Sequence, residues 1–280
     1  MDPIVVAAML AASLLHASWH ALVKTSGDRI IALAGMNAVS GTVALALLPF
    51  AGSLPATAYA VIAASVFLHA GYKIALARLY RVADLSQAYP LARGLTPILA
   101  AVLALLALGE RPDASAAAGL LVLSLGILAL AFEGRGARMQ SRALLAALAT
   151  GGMVACYSVV DAFGVRMSGT WFGFTVWLVA ADSLAFVGYA MATRGTQTLA
   201  TWRGEWRRVL VSGALGTASF GVFMWALGAA PVGPVTALRE TSVIFAALIG
   251  TLVLGEKGGV VRFGAAAAVA CGVGLIALAR

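Results

Sequence analysis

The chain has 280 residues, of which 62% are hydrophobic and 11% charged, and its mean hydropathy is +0.97. Soluble domains carry about 25% charged residues, so this composition excludes a water-soluble globular protein. The formal net charge of +8 would suggest a nucleic-acid partner for a soluble protein. Here the basic residues flank apolar segments, so we predict the lipid bilayer as a partner and no nucleic acid.

Long apolar segments recur through the whole chain. They are about 20 residues long, the length that a helix needs to cross roughly 30 Å of hydrocarbon. Membrane-spanning strands would be only about 10 residues long and would alternate in polarity. We therefore predict an all-α integral membrane protein with ten transmembrane helices. The predicted spans are residues 3–22, 30–50, 56–79, 85–108, 114–132, 143–165, 171–192, 208–228, 233–254 and 260–279.

Two connections between the predicted spans are long, at residues 133–142 and 194–207. The first is the predicted seam between two five-helix repeats, residues 1–135 and 136–280. The second alternates tryptophan and arginine, a pattern typical of a segment at the membrane interface. We interpret it as a membrane anchor, with a partner-binding surface as the alternative.

A repeated stretch supports the division into two halves. Residues 84–110 return in altered form at residues 230–256, and a shift of 146 residues places Arg93 on Arg239 and one Leu-Gly-Glu on the other. Because each repeat has an odd number of spans, the second repeat is predicted to cross the membrane in the opposite sense. Inverted repeats are typical of secondary transporters, whose site lies between the repeats near the midplane.

The distribution of basic residues predicts the topology. Thirteen of the nineteen lysines and arginines lie in or beside the odd-numbered loops, and only Arg111, Arg166 and Arg280 lie on the other side. The positive-inside rule then places the odd-numbered loops in the cytoplasm and both termini outside. We predict a multi-pass protein of the inner (plasma) membrane. The N-terminus has no basic segment and no convincing cleavage site, so the first span is predicted to be retained.

The sequence does not favour an enzyme. It has no phosphate-binding loop, no paired metal-ligand spacing and no nucleophile elbow, so we predict no catalytic residue, no metal and no cofactor. Cys156 and Cys271 lie inside apolar segments and are interpreted as packing residues. A membrane-embedded lipid-processing enzyme is the alternative from another class. It would need a catalytic cluster at one interface, whereas the ionisable residues are spread through the middle of the chain's spans.

Several motifs carry a family resemblance. They are LLHASWHALVKTSGDR in span 1, AYPLARG with a following Leu-Gly-Glu in span 4, YSVVDAFGVR in span 6, and TALRETSVIFAALIG with its own Leu-Gly-Glu in span 9. Together they resemble the EamA-type members of the drug/metabolite transporter superfamily, over essentially the whole chain. The resemblance implies a ten-helix carrier of small metabolites, with a central cavity lined mainly by spans 1, 3, 4, 6, 8 and 9. One departure is His20, which stands where many similar sequences have asparagine.

Ionisable residues inside the spans mark the candidate site. A charged side chain at membrane depth costs about 2.5–3.5 kcal/mol on insertion scales, so each one needs a partner, a cavity or an interface. Three cationic and three anionic residues cancel, which favours either a self-neutralising network or a zwitterionic solute. They are Lys73, Arg93, Arg239, Asp161, Asp182 and Glu240.

Arg93 and Arg239 are the leading pair of candidates. Two prolines flank Arg93 and two precede Arg239. Proline removes a backbone donor and loosens a helix. A guanidinium group in such a place is suited to bind a carboxylate or a phosphonate through two hydrogen bonds. In the alternative interpretation, each arginine caps backbone carbonyls or pairs with Glu240 or Asp161, and so locks the two halves together.

Asp161 lies four residues after Tyr157, so both share one face of span 6. It is predicted to accept an ammonium group or a coupling proton, or else to form a salt bridge with Arg166 or Arg239. Asp182 is interpreted as a packing or interfacial residue of a peripheral helix.

Lys73 lies beside Tyr72 and one turn after His69. It is predicted either to face the site with them or to extend along span 3 toward Arg78. Glu110, at the end of span 4, is interpreted as a helix stop at the interface, as is Glu256 in the second copy.

Span 1 has His16, Trp19 and His20 at helical spacing. Histidine titrates near physiological pH and is suited to proton coupling, whereas the alternative role is hydrogen-bonded packing. Four aromatic residues are predicted to line the site and stack on a ring or an organic cation, or else only to pack. They are Trp19, Tyr89, Tyr157 and Trp225.

The predicted function is secondary active transport of a small polar metabolite by alternating access around a midplane site. A zwitterionic amino acid or an amine- or phosphonate-like solute is the favoured substrate, with proton coupling as an option and a monomer or homodimer as the assembly. An exporter of drugs or organic cations is the alternative. The predicted substrate-binding residues are Trp19, His20, Tyr72, Lys73, Tyr89, Arg93, Tyr157, Asp161, Trp225, Arg239 and Glu240.

Overall fold

The structure is a computed structural model that describes residues 1–24, 26–82, 85–131, 141–252 and 260–279. These residues form α-helices and contain no β-strand, which confirms the all-α fold. The helices of the described chain are α1 (Pro3–Lys24), α2 (Arg29–Ala51), α3 (Ala56–Val82), α4 (Leu85–Leu108), α5 (Ala114–Leu130), α6 (Ser141–Ser168), α7 (Trp171–Arg194), α8 (Gln197–Gly204), α9 (Trp206–Ala229), α10 (Val232–Glu240), α11 (Ser242–Leu252) and α12 (Val260–Leu278).

Eight helices of the described chain are long and apolar enough to cross a membrane, which confirms a multi-pass membrane protein. Helix α5 is apolar but has only 17 residues. The predicted ninth span is divided into α10 and α11, so the count of ten spans stays a prediction. The predicted interfacial segment contains α8, which contacts the start of α2 through a hydrogen bond of 2.9 Å from Trp202 Nε1 to the Ile31 carbonyl.

Asp28 fixes the point where α2 begins. Its Oδ1 accepts hydrogen bonds from the backbone N–H groups of Ile30 and Ile31 at 2.8 and 3.3 Å, and its Oδ2 lies 2.7 Å from Arg194 Nε at the end of α7. Partial burial alone would raise the pKa of the Asp28 carboxyl. The hydrogen bonds from Arg194 and from the backbone outweigh burial and hold this pKa below its usual value. The start of α2 is therefore fastened to the end of α7.

Glu110 follows the end of α4, in agreement with its interpretation as a helix stop, and it also contacts two other helices. Its Oε2 accepts the backbone N–H of Val232, the first residue of α10, at 2.7 Å, and its Oε1 pairs with Arg166 Nη1 at 2.5 Å. Arg166 also donates to the carbonyl oxygens of Leu227 and Ala230. Glu110 therefore joins the end of α4 to α6 and caps the N-terminus of α10. The matching Glu256 lies outside the described residues.

Close helix contacts hold the two halves of the chain together. Helix α5 packs on α12, and a Cβ atom at Gly119 would lie 2.8 Å from the carbonyl oxygen of Gly272, since small residues let helices approach closely. Helix α6 approaches α4 so closely that a Cβ atom at Gly151 would lie 2.5 Å from the carbonyl oxygen of Ala92. Helices α2 and α7, α1 and α9, and α3 and α6 also pack together.

Candidate functional site

A cavity of about 110 Å³ lies between α1, α2, α3, α6, α7, α9 and α10. It has room for several water molecules or a compact solute, since one water needs roughly 10–15 Å³ on this scale. Its wall combines apolar and aromatic side chains with a limited set of polar groups, as is usual for small-molecule sites. The polar side chains of the wall are His16, Asn37, Ser40, His69, Tyr72, Lys73, Tyr157, Asp182, Thr217, Ser219 and Arg239.

The helices around the cavity differ in part from those that the resemblance implies. Spans 2 and 7 contribute to the wall through Asn37 and Asp182. Span 4 was expected in the wall, but Arg93 on α4 lies behind it. Arg93 Nη2 contacts two wall residues, donating to the Tyr72 hydroxyl at 2.9 Å and lying 3.5 Å from His16 Nε2. Spans 2 and 7 take this position because α2 and α7 pack directly against each other at the centre.

Arg93 and Glu240 form a buried ion pair beside the cavity. Arg93 Nη1 lies 3.1 Å from Glu240 Oε1, and the two side chains are 2% and 0% exposed. The same oxygen lies 3.7 Å from Arg239 Nη2. One carboxylate thus serves two guanidinium groups and joins α4 to α10. The structure contains the predicted alternative in which the arginines pair with Glu240.

The break in the ninth span positions Arg239 and Glu240. Helix α10 ends at Glu240 and α11 begins at Ser242, so both charged residues lie in the last turn of a short helix. A helix C-terminus carries partial negative charge, which favours the cation there. The prediction that prolines loosen a helix ahead of Arg239 is wrong. Pro231 precedes α10 and Pro234 lies in its first turn, where a missing N–H removes no helical bond.

Arg239 is the cation of α10 that lines the cavity. Its Nη2 donates to the Tyr157 hydroxyl at 2.8 Å, and its Cζ lies 4.1 Å from the ring centroid of Phe223 and 5.4 Å from that of Tyr157. Within the described chain, its buried Nε has no hydrogen-bond partner. The guanidinium group therefore lies against aromatic faces, and its buried Nε is available to a further acceptor.

Lys73 and Asp182 form a second ion pair in the cavity wall. Lys73 Nζ lies 2.5 Å from Asp182 Oδ2 and 3.0 Å from Asn37 Oδ1, and it lies 4.7 Å from the ring centroid of Phe186. The alternative in which Lys73 extends toward Arg78 is therefore wrong. The interpretation of Asp182 as a peripheral residue is also wrong, because α7 packs against α2 and α3. The other oxygen of Asp182, Oδ1, is buried and has no hydrogen-bond partner in the described chain.

Asp161 lies behind the cavity wall, where it is fully buried. Its Oδ2 is 3.0 Å from His69 Nε2, and its Oδ1 accepts the Ser65 hydroxyl. The predicted alternative of a salt bridge with Arg166 or Arg239 is wrong, since Arg166 pairs with Glu110 and Arg239 contacts Tyr157. His69 itself lines the cavity, so it lies between Asp161 and the open space.

The polar residues of span 1 lie together on α1, as their helical spacing predicts, and contact Arg93. His16 and His20 are joined through their Nε2 atoms at 3.0 Å, and these atoms lie 3.5 and 3.4 Å from Arg93 Nη2. The Trp19 ring stacks on the His20 ring with centroids 3.7 Å apart. His16 and Trp19 line the cavity.

One predicted aromatic residue, Trp225, does not join this arrangement. Trp225 packs against the main apolar cluster of the bundle and not in the cavity wall. The side chain of Tyr89 lies outside the described residues. Sequence reasoning also missed Asn37 and Phe223, which contact Lys73 and Arg239. An isolated amide in the apolar span 2 is a signal that pointed to Asn37, whereas Phe223 has no signal in an aromatic-rich membrane helix.

The fold and the site define a membrane transporter, because a bundle of apolar helices surrounds a central cavity whose wall carries ion pairs. Residues 141–278 match the sequence model of the EamA-like transporter family. The chain belongs to this family, which is part of the drug/metabolite transporter superfamily.

Solved structures support the same fold. Among them, 28 chains resemble this chain. One crystal structure has a TM-score of 0.74 and 17% sequence identity, and the match covers 97% of this chain and 94% of the other. At that identity the likeness shows the fold alone. No curated protein matches the sequence.

Proposed function

We propose that the protein is a secondary active transporter of a small zwitterionic metabolite, such as an amino acid or a related amine. One observation carries this proposal. The cavity wall holds an unused buried donor, Arg239 Nε, and an unused buried acceptor, Asp182 Oδ1, within the described chain. A solute carboxylate bound to Arg239 and a solute ammonium group bound to Asp182 would satisfy both atoms.

The energetics favour such a solute. A buried polar atom without a hydrogen-bond partner costs about 1–3 kcal/mol, and a solute that supplies the partner removes this cost. The guanidinium group of Arg239 is suited to bind a carboxylate through two parallel hydrogen bonds. Its ion-pair partner Glu240 stays paired with Arg93, so that the solute does not have to break a buried ion pair.

An organic cation fits this cavity less well. Aromatic faces attract cations, but the faces of Phe223 and Tyr157 are already occupied by the guanidinium group of Arg239 at 4.1 and 5.4 Å. A second cation there would meet a like charge. The exporter of drugs or organic cations is therefore the disfavoured alternative.

We further propose that transport proceeds by alternating access between two inverted repeats, residues 1–135 and 136–280. Two features support this proposal. Helices that hold equivalent places in the repeats pack on each other, as α2 does on α7 and α5 on α12. The Arg93–Glu240 ion pair links the repeats beside the cavity. The proposal also includes location and coupling. The protein lies in the inner membrane, with the odd-numbered loops in the cytoplasm and both termini outside. Transport is driven by protons.

A solute panel tests the proposed substrate class. The purified protein is titrated with neutral amino acids, with the corresponding amino alcohols, which lack the carboxylate, and with quaternary ammonium compounds. We expect stabilisation against heat, and exchange in proteoliposomes, from zwitterions alone. Stabilisation by the quaternary cations without any effect of the zwitterions would contradict the proposal and favour the alternative.

A further inference from the structure

A cluster of three buried polar side chains lies next to the proposed solute site and does not take part in it. Asp161 and Ser65 are both 0% exposed, and His69 is 8% exposed. The Ser65 hydroxyl donates to Asp161 Oδ1, and His69 Nε2 lies 3.0 Å from Asp161 Oδ2. Asp161 is absent from the cavity wall, whereas His69 is part of it. The solute therefore reaches His69 but not Asp161.

The other deep carboxylates pair with an arginine and a lysine. Arg93 pairs with Glu240, and Lys73 pairs with Asp182. In the described chain, the ion-pair partner of Asp161 is His69. Among the described residues, Asp161 is thus the deep carboxylate whose counter-ion is a histidine.

Because the pair consists of a carboxyl group and an imidazole, its net charge depends on whether one proton is bound. With the proton bound, the pair is neutral overall, either as carboxylic acid with imidazole or as carboxylate with imidazolium. Without it, the pair carries one negative charge in a fully buried position, which is unfavourable at membrane depth. Histidine is the side chain best suited to exchange such a proton near neutral pH.

The pair is in contact with the proposed solute site. The rings of His69 and Tyr157 stack with centroids 4.1 Å apart, and the Tyr157 hydroxyl accepts a hydrogen bond of 2.8 Å from Arg239 Nη2. A solute carboxylate on Arg239 would therefore lie one aromatic ring away from His69. The other charged and titratable groups of the cavity wall that contains His69 are His16, Tyr72, Lys73, Tyr157, Asp182 and Arg239.

We propose that the Asp161–His69 pair binds the proton that drives transport, one proton for each solute. This inference rests on the proposed function. Because a zwitterion has no net charge, each transport cycle then moves one positive charge across the membrane. Asn at position 161 would keep the site neutral without a proton, so Asp161→Asn can still exchange solute for solute but cannot use a proton gradient.

The experiment compares two measurements in proteoliposomes made with the full chain. The first is counterflow, the exchange of labelled for unlabelled neutral amino acid without any gradient. The second is net accumulation under a pH gradient, with the membrane potential held at zero by potassium and valinomycin. For one-to-one coupling, we expect the wild type to accumulate solute up to about tenfold for each pH unit, since one unit corresponds to a tenfold equilibrium ratio.

Asp161→Asn is expected to keep counterflow within about threefold of the wild type, while its accumulation ratio falls to about one. His69→Gln keeps a hydrogen-bonding group beside Asp161 but cannot titrate near neutral pH, and we expect the same loss from it. The matched control is Glu205→Gln, which removes a half-exposed carboxylate paired only with Arg208 within its own turn. This variant should behave as the wild type in both measurements.

Three results would overturn the inference. The first is gradient-driven accumulation by Asp161→Asn at the wild-type level. The second is a wild type that performs counterflow but ignores the pH gradient, which would leave the proposed substrate class intact and overturn proton coupling. The third is a wild type without counterflow of any zwitterion, which would overturn the proposed function as well. If Asp161→Asn does not fold, a second measurement replaces it. Solute is added to the detergent-solubilised wild type and to His69→Gln, and the uptake or release of protons is measured. The inference requires a proton change in the wild type that His69→Gln lacks.

Discussion

Replacing Arg239 by glutamine tests the centre of the proposed site without breaking the network around it. The variant removes one cation from the cavity wall, but Glu240 keeps its ion pair with Arg93 at 3.1 Å. Tyr157 loses only the hydrogen bond of 2.8 Å that its hydroxyl accepts from Arg239. The variant should therefore fold, and its effect on solute binding reports on the guanidinium group itself.

The expected loss follows from the two hydrogen bonds that the guanidinium group would make to a carboxylate. A hydrogen bond to a charged group contributes about 1.5–3 kcal/mol, so losing two costs about 3–6 kcal/mol. That energy corresponds to a rise in Kd of roughly 10²- to 10⁴-fold. Arg239→Lys keeps the charge but not the planar pair of donors, so it should lose about one of the two bonds, roughly 10- to 150-fold in Kd.

The assay is calorimetric titration of the purified protein with a neutral amino acid, together with thermal unfolding of each variant. Tyr157→Phe serves as the matched comparison, because it removes the hydroxyl that orients Arg239 and keeps the ring. We expect it to weaken binding by about tenfold or less, since the lost hydroxyl contacts Arg239 and would act on the solute only by orienting the guanidinium group. A Kd for Arg239→Gln within about threefold of the wild type, in a folded protein, would refute the reasoning and make Arg239 a structural residue.

Three further predictions concern the packing and the ion pairs. Arg93→Gln should lower the free energy of unfolding by about 3–5 kcal/mol, because the buried Glu240 is left with only the more distant cation of Arg239. In unfolding titrations, the double variant with Glu240→Gln should recover most of this lost stability. Gly151→Ala should destabilise the protein by about 1–3 kcal/mol, because the new Cβ would lie 2.5 Å from a main-chain oxygen of α4. Asp28→Asn should lower stability at neutral pH by about 1 kcal/mol or less through the loss of the ion pair with Arg194, since asparagine can still cap α2.

Each of these has an internal control. A double variant as unstable as Arg93→Gln alone would show that the ion pair is not what that substitution disrupts. Gly152→Ala meets no atom within 4 Å, so it should be neutral or stabilising by up to about 1 kcal/mol. Equal effects at the two glycines would contradict the close helix contact.

The effect of Asp28→Asn on stability should also depend on pH. The pKa of this carboxyl is lower in the folded protein, so its contribution is present above the unfolded pKa and disappears as the pH falls through the folded one. The difference in melting temperature between wild type and Asp28→Asn should therefore shrink below about pH 4. A difference in melting temperature that stays constant with pH would contradict a stabilising role of the ionised Asp28 carboxylate.

Much of the architecture could be predicted because it depends on local properties of the chain. The length and hydropathy of each apolar segment determine whether it can cross the bilayer, and neither depends on a distant residue. The same holds for the burial of Arg93, Arg239 and Glu240, since a charge within a span must be covered wherever the span lies. The ninth span was less predictable. Its hydropathy is continuous, and the turn after Glu240 shows only in the backbone.

The sequence by itself determined the class of protein, the family and the set of deep charges around which a site is built. Only the tertiary structure decided which of those charges face each other. Lys73 meets Asp182 and Arg93 meets Glu240 across 109 and 147 residues of chain, and Asp161 is left with His69. The physical reason is that ion pairing depends on distances of a few ångströms between helices, and these distances follow from helix packing that no single span encodes.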